Sequence, residues 1–315
     1  MIDSFIFSLN VTLPVFFVIL AGMLLSKFGL FPKSFCENID RYVFKVALPV
    51  MLFKDISAMD FGKEFDLRFV LACAVITIAM FLLVWLGAAL ALKDKSMVGA
   101  FAQGAARGSA AILGIALATN IYGTAGHASL MIFSAVILFN VLSVVILSFG
   151  AGGAERGKIN FAVLLKSVVT NPIILGIVVA VPFSLLHVSF PQVVVKTFDS
   201  IGSTATPMAL LSIGASFSLA EAGRKLKPAL CASFIKLFVL PCIFLPVAVY
   251  LGFRESALVA IFIMLGSPTT VTCYIMSKNM NNDSILSSNI VMLSTLFSMV
   301  SVPFFVFLMK YFSLI

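Results

Sequence analysis

The chain has 315 residues, 61% of them hydrophobic and 11% charged, with 32 phenylalanines, and its mean hydropathy of +1.15 exceeds what a soluble globular protein carries. This is the composition of an integral membrane protein. The formal charge of +8 comes from basic residues scattered through short loops, which points to anionic lipid and an anionic substrate as partners and away from nucleic acid.

A bilayer core about 30 Å thick takes roughly 20 apolar residues per helix. Ten such spans are predicted, at about 5–26, 36–56, 68–92, 97–119, 128–149, 162–186, 191–217, 227–251, 256–277 and 285–311. They use most of the chain and leave little for a soluble domain. The first begins at Phe5 with no positive n-region and outruns a signal-peptide core, so it is expected as a mature helix. Cys36, Cys73, Cys231, Cys242 and Cys273 fall in or beside apolar spans with no Cys-x-x-Cys spacing, so neither a disulfide nor a metal site is expected. His127 and His187 are isolated near loop ends and make a poor metal site. No cofactor is implied.

Loop charge sets an orientation. With the N-terminus outside, the inner span ends hold 13 basic residues (Lys27, Lys33, Arg41, Lys45, Lys93, Lys95, Arg156, Lys158, Lys166, Arg224, Lys225, Lys227 and Lys278). The outer ends hold six: Lys54, Lys63, Arg68, Lys196, Arg254 and Lys310. The positive-inside rule then puts both termini outside, in the periplasm if the membrane is a bacterial inner membrane. The two basic residues left over, Arg107 and Lys236, fall at membrane depth.

The chain also repeats. Pro14 and Pro172, Pro49 and Pro207, and the Gly108-Ser109 and Gly266-Ser267 pairs all lie 158 residues apart, while Phe31-Pro32 with Phe190-Pro191 and Asp40 with Asp199 lie 159 apart. Five spans per repeat is an odd number, so the second repeat enters the membrane in the opposite sense. The expected fold is all-α: ten transmembrane helices as two inverted five-helix repeats, 1–150 and 161–315, joined by a cytoplasmic linker at 151–160. The G-x-x-x-x-G-K string at Gly152–Lys158 is read as linker, because Ile159 replaces the Ser/Thr of a phosphate-binding loop and no strand precedes it.

The fourth span carries Gly99, Gly104, Gly108 and Gly114, and the ninth carries Gly266 and Pro268 at the matching depth. Glycine weakens a helix by about 1 kcal/mol relative to alanine, and proline removes a donor and clashes with the preceding turn. Backbone freed in this way persists in a membrane only inside protein or along a wet cavity. Paired broken helices at the midplane of an inverted repeat are how many secondary transporters build an anion site. The candidate substrate-binding residues are therefore Arg107, Gly108, Ser109, Gly266, Ser267, Pro268, Thr269 and Thr270, with Pro49 and Pro207 on the facing side. Gly99 and Gly104 are read as helix-packing residues. An ionised group at depth is costly and tends to be functional, which favours a substrate role for Arg107 over snorkelling or pairing with an acid away from substrate. Lys236 is read as facing substrate, pairing with an acid or lying nearer an interface. Asp40 and Asp199 are read as carriers of a coupling proton or as partners of a cation.

The phrases "VALPVMLF" (46–53), "TNPIILGIV" (170–178), "KLFVLP" (236–241) and "GSAAILGIALATNIYG" (108–123) together resemble the auxin efflux carrier family, whose bacterial members include malate and malonate permeases. The likeness covers essentially the whole chain. It implies a scaffold made of the first, second, sixth and seventh helices, a mobile transport domain made of the others, interrupted fourth and ninth helices that cross at the midplane, and a homodimer. The family commonly has Asn where this chain has Ser109 and often Pro where it has Ala116. The expected function is secondary transport of a small organic anion by alternating access. A channel, or a carrier of an aromatic or uncharged metabolite, is the alternative. No enzyme activity is expected, since no nucleophile with a base, paired carboxylates or metal-ligand cluster stands out.

Overall fold

The computed structural model describes residues 2–58, 66–110, 117–118, 121–122, 127–151, 166, 169–217 and 223–315. The junction at 152–160, Gly114, Ala116 and Gly123 fall outside the described residues. Among those described the chain is helical throughout, and its only strand-like pairing is an isolated antiparallel bridge between Gly108 and Thr269.

The helices are α1 (Ile2–Lys27), α2 (Lys33–Tyr42), α3 (Leu48–Ser57), α4 (Leu67–Ala91), α5 (Val98–Ala106), α6 (His127–Met131), α7 (Ile137–Ala151) and α8 (Pro172–Leu185). They continue as α9 (Gln192–Gly202), α10 (Ala205–Ala215), α11 (Leu226–Phe234), α12 (Leu240–Tyr250), α13 (Glu255–Gly266), α14 (Thr272–Asn279) and α15 (Ser284–Tyr311). By length and composition, Leu67–Ala91, Leu226–Tyr250 and Ser284–Tyr311 can each cross a bilayer as uninterrupted helix. Shorter apolar helical stretches are Leu13–Lys27, Ser134–Phe149, Pro172–Leu185 and Glu255–Gly266.

Prolines account for several irregularities. A proline ring collides with the carbonyl four residues before it, and a wide π turn relieves that collision. Pro49 comes just after a π turn at Val43–Ala47, which joins α2 to α3, and Pro241 just after one at Ile235–Val239, which joins α11 to α12. Pro207 lies just past the break between α9 and α10. A third π turn, Ile132–Val136, joins α6 to α7 with no proline nearby. Pro14 and Pro172 share a register but not a role. Pro14 lies within α1, whereas Pro172 opens α8 behind an Asn171 cap whose Oδ1 accepts from the Ile173 amide at 3.0 Å.

The apolar interior is divided into two cores. One gathers Phe69, Met80 and Phe81 of α4, Phe101 of α5, Phe139 of α7, most of α13, and Ile290 and Phe305 of α15. The other gathers Ile19 of α1, Val43, Leu48 and Leu52 around α2 and α3, Ile173 and Ile177 of α8, and Ala209 and Ile213 of α10. Tyr274, Ile275 and Met276 of α14 pack into this second core, although α14 comes directly after α13 of the first. Within the second core α1 and α10 meet at backbone distance: a Cβ on Gly22 would overlap the Leu211 carbonyl, and one on Gly214 would overlap the Ile19 carbonyl. Small residues allow this approach, which is how helices gain dispersion energy where lipid removes the hydrophobic drive.

At one end of the first core three loops are tied together. Lys225 lies 3.0 Å from Asp283 and 3.7 Å from Asp94. Each acid also caps its own segment, Asp283 accepting from the Leu286 amide and Asp94 from Ser96. Those Ser96 hydrogen bonds, aided by Lys225, hold the Asp94 carboxyl below the usual carboxylate range.

Candidate functional site

The helix ends that meet at the crossing are C-terminal ends. α5 stops at Ala106, after which Arg107 takes extended dihedrals, and α13 stops at Gly266, after which Ser267 does the same. The two extended stretches then pair. Gly108 bridges Thr269, and the Ser109 amide donates to the Pro268 carbonyl at 2.8 Å. Thr269 completes the lock, its hydroxyl donating to the Gly104 carbonyl at 2.7 Å and its amide to Ser294 Oγ at 3.0 Å. A Cβ at 108 would overlap the Ser267 hydroxyl and stand 3.0 Å from the Lys236 amine, so both side chains would have to shift to admit one.

Helix C-termini carry unsatisfied carbonyls and partial negative charge. Lys236 answers both at once, its Nζ donating to the Ala106 carbonyl at 2.9 Å and to the Met264 carbonyl at 3.1 Å. The side chain is fully buried. Of the three roles open from sequence, two are not met among the described residues: no acid pairs with it, and it does not reach an interface. It is set instead as a joint between two helix ends.

Arg107 leaves the same crossing in another direction. Its NH2 donates to Asn140 Oδ1 and its NH1 to Met276 Sδ, both at 2.9 Å. Asn140 is itself oriented by donating to the Val136 carbonyl at the edge of the π turn. Gln103, one turn before Arg107, reaches Met276 Sδ and accepts from Ser277 Oγ, which pairs in turn with Ser287. The buried thiol of Cys273 lies within electrostatic reach of both Arg107 and Lys236. The Ser267 hydroxyl, also buried, has no hydrogen-bond partner among the described residues.

The other residues singled out from sequence have varied surroundings. Ser109 and Thr270 are half-buried beside the bridge. Gly266 faces helix packing, since a Cβ there would stand 2.7 Å from the Phe262 ring and 3.1 Å from Pro241. Gly104 faces Ile290, and Gly99 faces Asn282 and Leu147. Pro49 packs against α8 at Gly176, and Pro207 is exposed on α10. Neither proline is hydrogen-bonded to the crossing.

Asp40 and Asp199, one residue off the main register, lie in different settings. Asp40 is buried and ion-pairs at 2.5 Å with Lys278, which also donates to the Tyr274 hydroxyl at 2.9 Å. Asp199 is half exposed and pairs with Lys54 at 2.6 Å. Exposed pairs contribute about 0.2–1 kcal/mol, whereas removing one partner of a buried pair costs about 3–5 kcal/mol. Asp40→Asn is therefore expected to lower thermal stability in detergent measurably, and Asp199→Asn to leave it within about 0.5 kcal/mol of wild type. Equal losses in the two variants would contradict the assigned environments.

A cavity of about 320 Å³ lies away from the crossing, lined by Lys54, Ser57, His187, Ser189, Phe190 and Phe198. Its lysine is already neutralised by Asp199. Sequence reasoning missed Gln103, Asn140 and Ser294, although Asn140 stands alone among apolar neighbours in "AVILFNVLSVV" and could have been marked as a polar group at depth.

Apolar helices thus surround a buried polar crossing that holds two cations, and a match to a family of membrane transport proteins makes the protein a membrane transporter. The chain belongs to the Membrane transport protein family, an auxin efflux carrier-like group, which it matches over residues 7–306. That is a transport family and not an enzyme family. The chain is also similar to an uncharacterized transporter of Methanothermobacter thermautotrophicus, with 20% identity over 303 residues covering 95% of this chain and 97% of the relative.

Proposed function

We propose that the protein is a secondary carrier of a small organic anion, a carboxylate such as malate or malonate, working by alternating access. The observation that carries this reading is the pair of buried cations, Arg107 and Lys236, at the meeting point of two interrupted helices. An anion entering there finds Arg107 together with the backbone and hydroxyls of Gly108, Ser109, Ser267, Pro268, Thr269 and Thr270. Gly266 serves by letting α13 pack closely behind them.

In this reading the ten spans form two inverted five-helix repeats, with the fourth and ninth broken at the crossing. The second apolar core supports a scaffold made of the first, second, sixth and seventh spans, and the first core supports a transport domain made of the others. The protein works as a homodimer in a bacterial inner membrane with both termini periplasmic, in keeping with the loop charges.

Counterflow of labelled malonate and malate in proteoliposomes tests the carrier without assuming a driving ion. Transient accumulation of label against unlabelled internal substrate is the expected result. Its absence from folded protein for both compounds would refute a carboxylate carrier and direct the search to larger, aromatic or uncharged solutes.

A further inference from the structure

Arg107 and Lys236 are 5% and 0% exposed, and among the described residues no ion pair joins either to an acid. The sequence supplies the reason. Its 13 acidic residues leave long gaps, with no Asp or Glu from 95 to 154, from 222 to 254, from 256 to 282, or beyond Asp283. The helices α4 to α7, α11, α12, α14 and α15 contain none, and α13 has only Glu255 at its first residue. The buried carboxylate of Asp40 already holds Lys278.

Two uncompensated positive charges at membrane depth are costly. Either an anion from outside neutralises them or one of them sheds its charge. A guanidinium does not give up its proton in proteins, whereas an ammonium can. The surroundings of Lys236 suit both forms. A neutral amine has two N–H groups, matching the Ala106 and Met264 carbonyls it faces, and one lone pair. The partnerless Ser267 hydroxyl and that amine both flank Gly108, where a Cβ would overlap the first and stand 3.0 Å from the second, and no hydrogen bond joins them in this structure. The charged form has a third N–H for an incoming carboxylate.

We infer that Lys236 is the proton-carrying group of this transporter: its amine takes up one proton as the anion binds and releases it as the anion leaves, while Arg107 keeps a permanent charge. The inference rests on the anion-carrier reading. Only an N–H bond forms and breaks, with the proton drawn from and returned to water. Of the charged and titratable groups on the elements packed around Lys236, Arg107 and the Cys273 thiol lie within reach. Cys231 and Lys227 of α11, Cys242 and Tyr250 of α12, and Lys310 and Tyr311 of α15 are exposed. Glu255 is nine residues before Met264 on α13, about 14 Å along the helix.

The test is proton uptake by detergent-purified protein, read with a pH dye in weak buffer at a pH where malonate is fully ionised. Wild type is expected to take up about one proton per malonate bound. It is also expected to accumulate labelled malonate in proteoliposomes when a pH gradient is imposed. Lys236→Arg, with a charge that cannot be lost, should abolish both signals, whereas Cys273→Ser should leave the proton count as in wild type. Wild type that shows malonate counterflow yet binds without proton uptake would overturn the inference and leave the carrier reading intact. So would a Lys236→Arg variant that still takes up a proton. Should Lys236→Arg fail to fold, the wild-type count together with Cys273→Ser still decides between amine, thiol and neither. Absence of counterflow for both malonate and malate would remove the carrier reading and this inference with it.

Discussion

Replacing Arg107 with alanine is expected to reduce malonate counterflow by roughly a hundredfold or more, the equivalent of losing about 3 kcal/mol of interaction with a desolvated charged partner. Arg107→Met, which retains most of the volume, should be as inactive, with a melting temperature at or above that of wild type. The physical reason is that the guanidinium is held by an amide oxygen and a thioether, with no acid among the described residues to offset its desolvation. A buried charge without a partner is a cost to folding, so removing it should not destabilise. Arg107→Lys should not rescue transport, because a single ammonium cannot reproduce a planar fork spanning Asn140 and Met276. Wild-type counterflow in Arg107→Met would show that the anion site lies elsewhere.

A second large loss of stability, beside that of Asp40→Asn, is expected at the contact between α1 and α10. In Gly214→Leu the new side chain must displace the Ile19 carbonyl, a backbone atom with nowhere to move inside the second core. Overpacking of this kind costs about 3 kcal/mol, visible as a marked fall in the melting temperature in detergent. Gly87 of α4 is the control. It too is a glycine within a helix, yet nothing lies within 4 Å of a Cβ placed there, so Gly87→Leu should be neutral or stabilising by about 0.5–1 kcal/mol. Similar losses in the two variants would argue that helix propensity, and not the close approach, governs position 214.

How much of the fold is legible in the sequence depends on what each signal measures. Long apolar runs identify helices that face lipid, because that pattern is local. The family resemblance is legible because its phrases are spread along the whole chain. Arg107 stands out because a cation among alanines and glycines is costly at depth. The partners of these residues are not legible. That Lys236 caps two helix ends depends on Ala106 and Met264, which are 130 and 28 residues away, and nothing in "ASFIKLFVLP" announces it. Gly266 looks like a residue of the site because it shares a register with Gly108, yet the structure turns it toward Phe262 and Pro241. The register likewise matches Asp40 with Asp199 but cannot tell which of them is buried.

The π turn at Ile235–Val239 adds one residue to a helical turn, and so rotates the rest of the helix by about 100° relative to a regular one. Ile78, 158 residues before Lys236, sits on the unbroken α4 and is 40% exposed, whereas Lys236 is fully buried. Lys236 is the second residue of that turn, so the rotation falls on the residues after it; at the 159-residue spacing its match is Thr77, which is buried as well but carries no charge. Among the described residues the two segments are therefore electrically unequal, one with a fully buried cation and the other with an uncharged side chain at the matching spacing.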